Sequence, residues 1–127
     1  MEGVAVVEQD GHWFFFFDPQ GLGGARHRFP MATIVTSNAY DTHSDLDREG
    51  AFRINFGVDK ETFVSLFGGR MSDLQRRDYA ERDVLLPHPD YGAQFFVCVV
   101  NPERTLEQVR ELLRLAHGVA ARRDTGV

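Results

Sequence analysis

An Asp10-Gly11 dipeptide between two apolar runs constrains the fold of this chain more than any other feature. The runs GVAVVEQD (residues 3–10) and HWFFFFD (residues 12–18) are short and rich in β-branched or aromatic residues. Because Asp-Gly is a preferred two-residue turn, they predict an antiparallel β-hairpin. Four consecutive Phe break the alternation of the second run, so we expect both of its faces to meet apolar neighbours.

Two more strands are predicted in the middle of the chain, at residues 29–37 (FPMATIVTS) and 51–59 (AFRINFGVD). The second of them alternates, with these apolar side chains on one face: Phe52, Ile54 and Phe56. Arg53 and Asn55 then belong to the opposite face. The polar connection between the two strands, residues 38–50, is unusually long for a loop, which favours a functional role.

The second half of the chain predicts helices around one further strand. Asp59 has the properties of an N-cap for a short helix that ends at Gly68-Gly69. Residues 72–87 have weak helical character, and residues 91–100 (YGAQFFVCVV) predict a strand. Pro102 is suited to the first position of a long helix, whose apolar stripe has helical spacing. These residues form the stripe: Leu106, Val109, Leu112, Leu113, Ala116, Val119 and Ala120.

The order of the elements predicts an α+β fold. Strands precede helices, which favours a mainly antiparallel sheet of about five strands, two or three helices, and a long C-terminal helix packed on the sheet. The chain has 127 residues, and we expect residues 1–127 to form one domain.

Composition narrows the classes of partner and the location. The net charge of −5 disfavours a nonspecific nucleic-acid binder and attraction to an anionic membrane. No apolar run approaches the roughly 18 residues that span a bilayer. Cys98 is the single cysteine, and the first residues show no signal peptide, so a cytoplasmic protein is expected. Cys98 lies in an apolar run and is expected to be buried and inert.

The polar face of the fourth predicted strand carries the first candidate site. Arg53 and Asn55 lie two residues apart, and a guanidinium beside an amide suits a carboxylate or phosphate. Asp45 and Arg48 lie in the charged loop directly before the strand and complete this candidate set. The alternative is an exposed sheet face, on which Arg53 pairs with Asp45 or Asp47.

A second candidate is His88 in the sequence LPHPDY. Two flanking prolines hold it in a stiff, extended segment, which suits an acid–base or binding group. The alternative is a structural turn in which the imidazole caps the backbone.

Metal binding is the weakest of these possibilities. The long loop has oxygen and imidazole groups that could hold Mg²⁺ or Ca²⁺: Asp41, His43, Asp45, Asp47 and Glu49. Their spacing is not that of an EF-hand, and the five His residues have no zinc-site spacing. We therefore expect no metal and no cofactor.

Several motifs carry a resemblance to a known family. They are the FPxATIV strand from Phe29, the Ser44-Asp45-Leu46-Asp47-Arg48 run, the Leu86-Pro87-His88-Pro89 turn and the Asn101-Pro102 pair. With these motifs, most of the chain resembles a family of small, uncharacterised bacterial proteins, a "domain of unknown function" family. More distantly, its layout is similar to the MmcQ/YjbR proteins, which have an antiparallel sheet flanked by helices and are often labelled DNA-binding.

Members of the uncharacterised bacterial family usually have a helix before the first strand, whereas this chain begins almost at the strand. An apolar face left uncovered in this way would favour a homodimer.

Three functions are compatible with these observations. The first is a small non-catalytic binding module for an anionic small molecule or a peptide, with a pocket lined by Arg53, Asn55, Asp45, Arg48 and His88. The second is an enzyme that uses His88 as general base and Arg53 as the electrostatic group. The third, by family analogy alone, is a nucleic-acid partner, which the acidic balance opposes.

Overall fold

A computed structural model describes residues 2–27 and 29–125 of the chain. It contains a six-stranded antiparallel sheet in the order β1-β2-β3-β4-β6-β5. The strands are β1 (Val4–Gln9), β2 (His12–Phe17), β3 (Ala32–Val35), β4 (Arg53–Gly57), β5 (Leu86–Pro87) and β6 (Phe96–Val100). The helices are α1 (Lys60–Phe67) and α2 (Leu106–Thr125), together with three short 3₁₀ turns. The predicted α+β class, with a long C-terminal helix, is confirmed.

The N-terminal hairpin forms as the Asp-Gly signal predicts. β1 and β2 pair from Gln9–His12 to Val4–Phe17. Asp10 and Gly11 have φ angles of 53° and 83°, the left-handed conformations that a tight hairpin turn of this kind requires. The turn chemistry of these two residues therefore fixes the register of the first two strands.

One face of the sheet packs against the helices and forms the main core. These residues make up its buried part: Ala32, Phe56, Val58, Phe63, Val97, Val99, Val109, Leu112 and Ala116. α1 begins where predicted, because the Asp59 carboxylate accepts a hydrogen bond from the Thr62 N–H at 2.8 Å. It ends at Gly68, whose φ of 84° is readily adopted only by glycine.

The start of α2 differs from the prediction, since the helix begins at Leu106 and not at Pro102. The Asp83 carboxylate, from a distant part of the chain, accepts the backbone N–H groups of Glu103, Arg104 and Thr105 at 2.8 to 3.0 Å. These bonds hold the pKa of Asp83 far below its usual value. A long-range cap therefore sets the helix start, which local propensity could not show.

The predicted strand at residues 91–100 is also shorter than expected. Its first part is a 3₁₀ turn, Gly92–Gln94, followed by Phe95 with a φ of 67°. This left-handed residue redirects the backbone, and the strand begins only at Phe96. The residues at 86–87, by contrast, add a short edge strand, β5, where proline is tolerated.

The opposite face of the sheet is covered by other parts of the chain. The alternation of polar and apolar residues along the strands would, by itself, predict that this face is exposed to water. Two stretches lie over it: the long loop (residues 38–50) and a covering segment (residues 70–91, apart from the edge strand β5). Two small apolar clusters mark the contact, one of Val35, Leu46, Ala51 and Val100, and one of Tyr79, Leu86 and Cys98. The sequence-based alternative, in which the polar face of the sheet is exposed, is therefore wrong.

A mainly apolar groove of about 290 Å³ remains beside α2 on the core face. Its walls are Val4, Val6, Phe15, Met31, Ala32, Thr33, Ile34, Ile54 and Leu113. The homodimer stays a prediction. No helix in the described part of the chain is long and apolar enough to cross a membrane.

Candidate ligand site

Arg53 is only 1% exposed and forms a bidentate ion pair with Asp41. Its two terminal nitrogens donate to the two Asp41 carboxylate oxygens at 3.0 and 2.7 Å. The Ser44 hydroxyl accepts a further bond at 3.0 Å. Asp41 therefore takes the place that Asp45 or Asp47 has in the sequence-based alternative. Because Asp41 already neutralises the guanidinium, Arg53 presents no free charge to an anion.

Asn55 lies on the same buried face and is 5% exposed. Its side-chain N–H₂ donates to the Thr33 hydroxyl at 2.9 Å. Its Oδ1, and the Nε of Arg53, are buried without a protein partner among the described residues. The cluster is therefore polar and only partly satisfied, with one acceptor and one donor still unpaired.

The long loop reaches over Arg53 because its two ends hydrogen-bond to each other. The Asp47 carboxylate accepts the N–H of Asn38 at 2.9 Å, and the Asn38 side-chain oxygen accepts the N–H of Leu46 at 2.7 Å. Leu46 is fully buried between the loop and the sheet. The charged run before β4 thus builds a wall over Arg53.

Arg48 and Asp45 do not join Arg53. The Arg48 guanidinium donates to the backbone carbonyls of Asp45, Ser44 and Ala80 at 3.0, 3.3 and 2.6 Å. Arg48 therefore ties the long loop to the covering segment. The Asp45 side chain is exposed and makes no hydrogen bond within the described ranges, while its φ of 51° shapes the loop.

His88 lies on the face that carries Arg53 and is 3% exposed. Its Nδ1 accepts the backbone N–H groups of Asp90 and Tyr91, both at 3.1 Å. Burial, reinforced by the positive charge of Arg53, lowers the pKa of His88 to about 4. The ring is therefore neutral near pH 7, with its proton on Nε2. Since Nδ1 is occupied, no lone pair is left for a general base in this arrangement.

The structure thus brings together three of the five predicted site residues, Arg53, Asn55 and His88. Cys98 lies in the same environment, opposite Asn55 across the β4–β6 pair. Burial raises the pKa of its thiol to about 12, so the thiol is protonated, and the prediction of a buried cysteine is confirmed.

A cleft next to this cluster was missed from the sequence. It has a volume of about 260 Å³ and lies between the long loop and the covering segment. Its lining residues are His43, Met71, Leu74, Gln75, Arg76, Tyr79 and Pro89. They come from separate parts of the chain, and the central ones lie in residues 72–87, which have only weak helical character. Apart from the mixture of Gln, Arg and Tyr there, no sequence signal indicates a cleft.

The buried ion pair positions one wall of this cleft. Asp41 Oδ1 accepts the Arg53 bond and also the backbone N–H of His43, at 3.1 Å. The His43 ring reaches the covering segment, where its Nε2 lies 3.1 Å from the Asp90 carboxylate. Arg53 therefore helps to position this wall of the cleft, through Asp41 and His43.

The cleft contains polar groups that nothing else in the described chain engages. The Arg76 guanidinium, the Gln75 amide and the Tyr79 hydroxyl make no hydrogen bond or ion pair with residues 2–27 or 29–125. The nearby Asp90 carboxylate, by contrast, is bonded to His43. Unpaired donors therefore outnumber unpaired acceptors, which suits a ligand rich in acceptors.

The acidic loop is arranged for hydrogen bonding within the protein. Asp41 and Asp47 are engaged by Arg53 and Asn38, as described above. Within the described ranges, no group of three His, Cys, Asp or Glu side chains is placed to hold a metal ion.

A family model described as a family of unknown function, DUF6194, matches residues 1–126. The chain belongs to this family. The prediction of an uncharacterised domain family is therefore confirmed at that level, and DUF6194 membership assigns no activity. No curated protein and no solved structure matches the chain.

Proposed function

We propose that this DUF6194 protein is a small non-catalytic binding module, and that its ligand is a small anionic molecule held in the cleft. One observation carries the proposal: the Arg76 guanidinium lines a concave site and has no partner in the described chain. Small-molecule sites typically combine apolar side chains with polar groups, and both kinds line this cleft.

The anion is assigned to Arg76 and not to Arg53, because Asp41 neutralises Arg53. Arg53 then supports the site through Asp41 and does not contact the ligand, while Asn55 and His88 lie on the same buried face and do not line the cleft. Arg48 ties the loop that forms one wall to the covering segment, and Asp45 lies in that loop with an exposed side chain. The ligand is then anionic, as predicted from the sequence, but it binds at Arg76 and not at Arg53.

The other predicted functions have less support. An enzyme with His88 as base would need a free ring nitrogen, and Nδ1 is occupied by two backbone N–H groups. A nucleic-acid partner has only the MmcQ/YjbR analogy behind it, and the net charge of −5 opposes it. The bacterial origin, that analogy and the cytoplasmic location stay predictions.

A ligand-observed NMR screen of small anionic and neutral compounds tests the proposal. Gln75→Trp places a bulky ring at an exposed position in the cleft, and Arg77→Trp does the same at a neighbouring exposed position outside it. We expect anionic compounds to bind the wild type and Arg77→Trp, and binding to be lost in Gln75→Trp. Binders that respond equally to both variants, or a screen without binders, would contradict the proposal.

A further inference from the structure

We infer that the ligand of the cleft is a small amphipathic carboxylic acid, with its carboxylate on Arg76 and Tyr79 and its apolar part against Met71, Leu74 and Pro89. This inference rests on the proposed function and adds the chemical class of the ligand. It follows from how the free donors and the apolar side chains are distributed around the cleft.

The donors favour a carboxylate. A guanidinium offers two parallel N–H groups that match the two oxygens of a carboxylate, and the Tyr79 hydroxyl can add a third bond. Both side chains line the cleft, and the Arg76 guanidinium and the Tyr79 hydroxyl make no hydrogen bond in the part of the chain that the structure describes. Both groups are therefore available to a planar anionic group.

The surroundings disfavour a doubly charged phosphate. Among the described residues, Arg76 is the only Lys or Arg whose side chain lines the cleft. Carboxylates occur close by in the sequence, at Asp73 and Asp78, and Asp90 is held by His43 at the rim. The backbone N–H groups of Asp73 and Leu74 are already bonded to Arg70 and Met71 carbonyls, so they offer no anion nest. A single negative charge fits these conditions better than two.

Part of the remaining lining is apolar, and the volume is small. Met71, Leu74 and Pro89 form this part, and Leu74 also packs against the main core, which fixes its position. The volume of about 260 Å³ lies just below the usual range for ligand pockets, roughly 300–1,000 Å³. A short alkyl chain or one aromatic ring therefore fits, and a peptide does not.

Titrations followed by amide NMR signals test the class of ligand. The probes are benzoate and hexanoate, their neutral amides benzamide and hexanamide, and inorganic phosphate. We expect both carboxylates to shift the signals of residues 71–79 and to bind at least about tenfold more tightly than the amides, as a charge-assisted pair implies. Phosphate should bind more weakly than either carboxylate.

Matched variants assign the contacts. Arg76→Gln should weaken benzoate binding about tenfold or more, whereas Arg77→Gln, an exposed neighbour outside the cleft, should leave it within about twofold. Tyr79→Phe keeps the ring and removes the hydroxyl, so it should weaken the binding of benzoate and leave the binding of benzamide unchanged.

The outcomes separate the inference from the proposed function. Equal binding of acids and amides, tighter binding of phosphate, or equal effects of Arg76→Gln and Arg77→Gln would each overturn the carboxylate class. The absence of binding by either carboxylate would do the same. The binding module itself would still stand if other compounds in the screen bind in a way that depends on Gln75.

Discussion

Asp41 and Arg53 meet through two parallel hydrogen bonds of 2.7 and 3.0 Å beneath the long loop. Burial opposes ionisation of Asp41, but the hydrogen bonds and charge of Arg53 outweigh it, so the pKa of Asp41 lies below its usual value. The pair fixes the loop to the sheet and, through the His43 backbone, fixes a wall of the cleft.

Replacing Asp41 by Asn should destabilise the protein strongly, because it leaves the Arg53 charge buried without a counter-ion. Loss of one partner of a buried ion pair costs about 3–5 kcal/mol, and we expect the free energy of unfolding to fall by about that amount. Urea unfolding measures the change. Asp45→Asn changes a side chain of the same loop that is exposed and makes no hydrogen bond within the described ranges; it is the control and should stay within about 0.5 kcal/mol. Equal effects of the two substitutions would show that the pair does not hold the loop.

The stability of the protein should depend on His88 between pH 6.5 and about 4. The pKa of His88 is lowered from 6.5 to about 4, mainly by burial. In this window the unfolded chain binds a proton that the folded chain does not, so stability falls as the pH falls. The stabilisation is complete above pH 6.5, and its loss amounts to about 3–4 kcal/mol at roughly 1.4 kcal/mol per pKa unit.

His88→Asn isolates this effect, because its amide oxygen can replace Nδ1 as the acceptor for the Asp90 and Tyr91 N–H groups. We expect urea midpoints of the variant to change less than those of the wild type over that pH window. The other histidines are present in both proteins, and their contributions cancel in the comparison. An unchanged pH dependence would mean that His88 titrates normally in the folded state.

Arg48→Ala should loosen the covering segment. The substitution removes three hydrogen bonds to backbone carbonyls, including the one to Ala80. We expect faster amide hydrogen exchange and faster proteolysis at residues 74–85, with the exchange of β4 unchanged. Arg77→Ala removes an exposed arginine that has no partner in the described chain and should have no such effect. If both variants exchange alike, Arg48 does not act as a tie.

Local features could be predicted from the sequence because short-range chemistry decides them. The Asp10-Gly11 hairpin, the Asp59 cap and the alternation of β4 each depend on neighbours along the chain. The placement of Arg53 and Asn55 on one face was correct for the same reason. The burial of that face was not predictable, because it depends on where residues 38–50 fold.

Long-range contacts account for the remaining differences. The ion-pair partner of Arg53 is Asp41, twelve residues away along the chain, and several nearer carboxylates were equally plausible from the sequence. The cleft requires His43, Tyr79 and Pro89 to meet, and only the closed loops bring them together. The periodicity of apolar residues along the chain contains no information about such long-range contacts.

The joint between β6 and α2 has a consequence for where this chain tolerates added residues. Asn101 is bonded at one end of the joint to the backbone of Gly50 and Phe52, and Asp83 holds the N–H groups at the other. Because this stretch is hydrogen-bonded at both ends, it cannot accommodate additional residues without breaking these bonds. Insertions and fused domains should therefore avoid this joint, and the apparent linker before α2 is the place to leave intact.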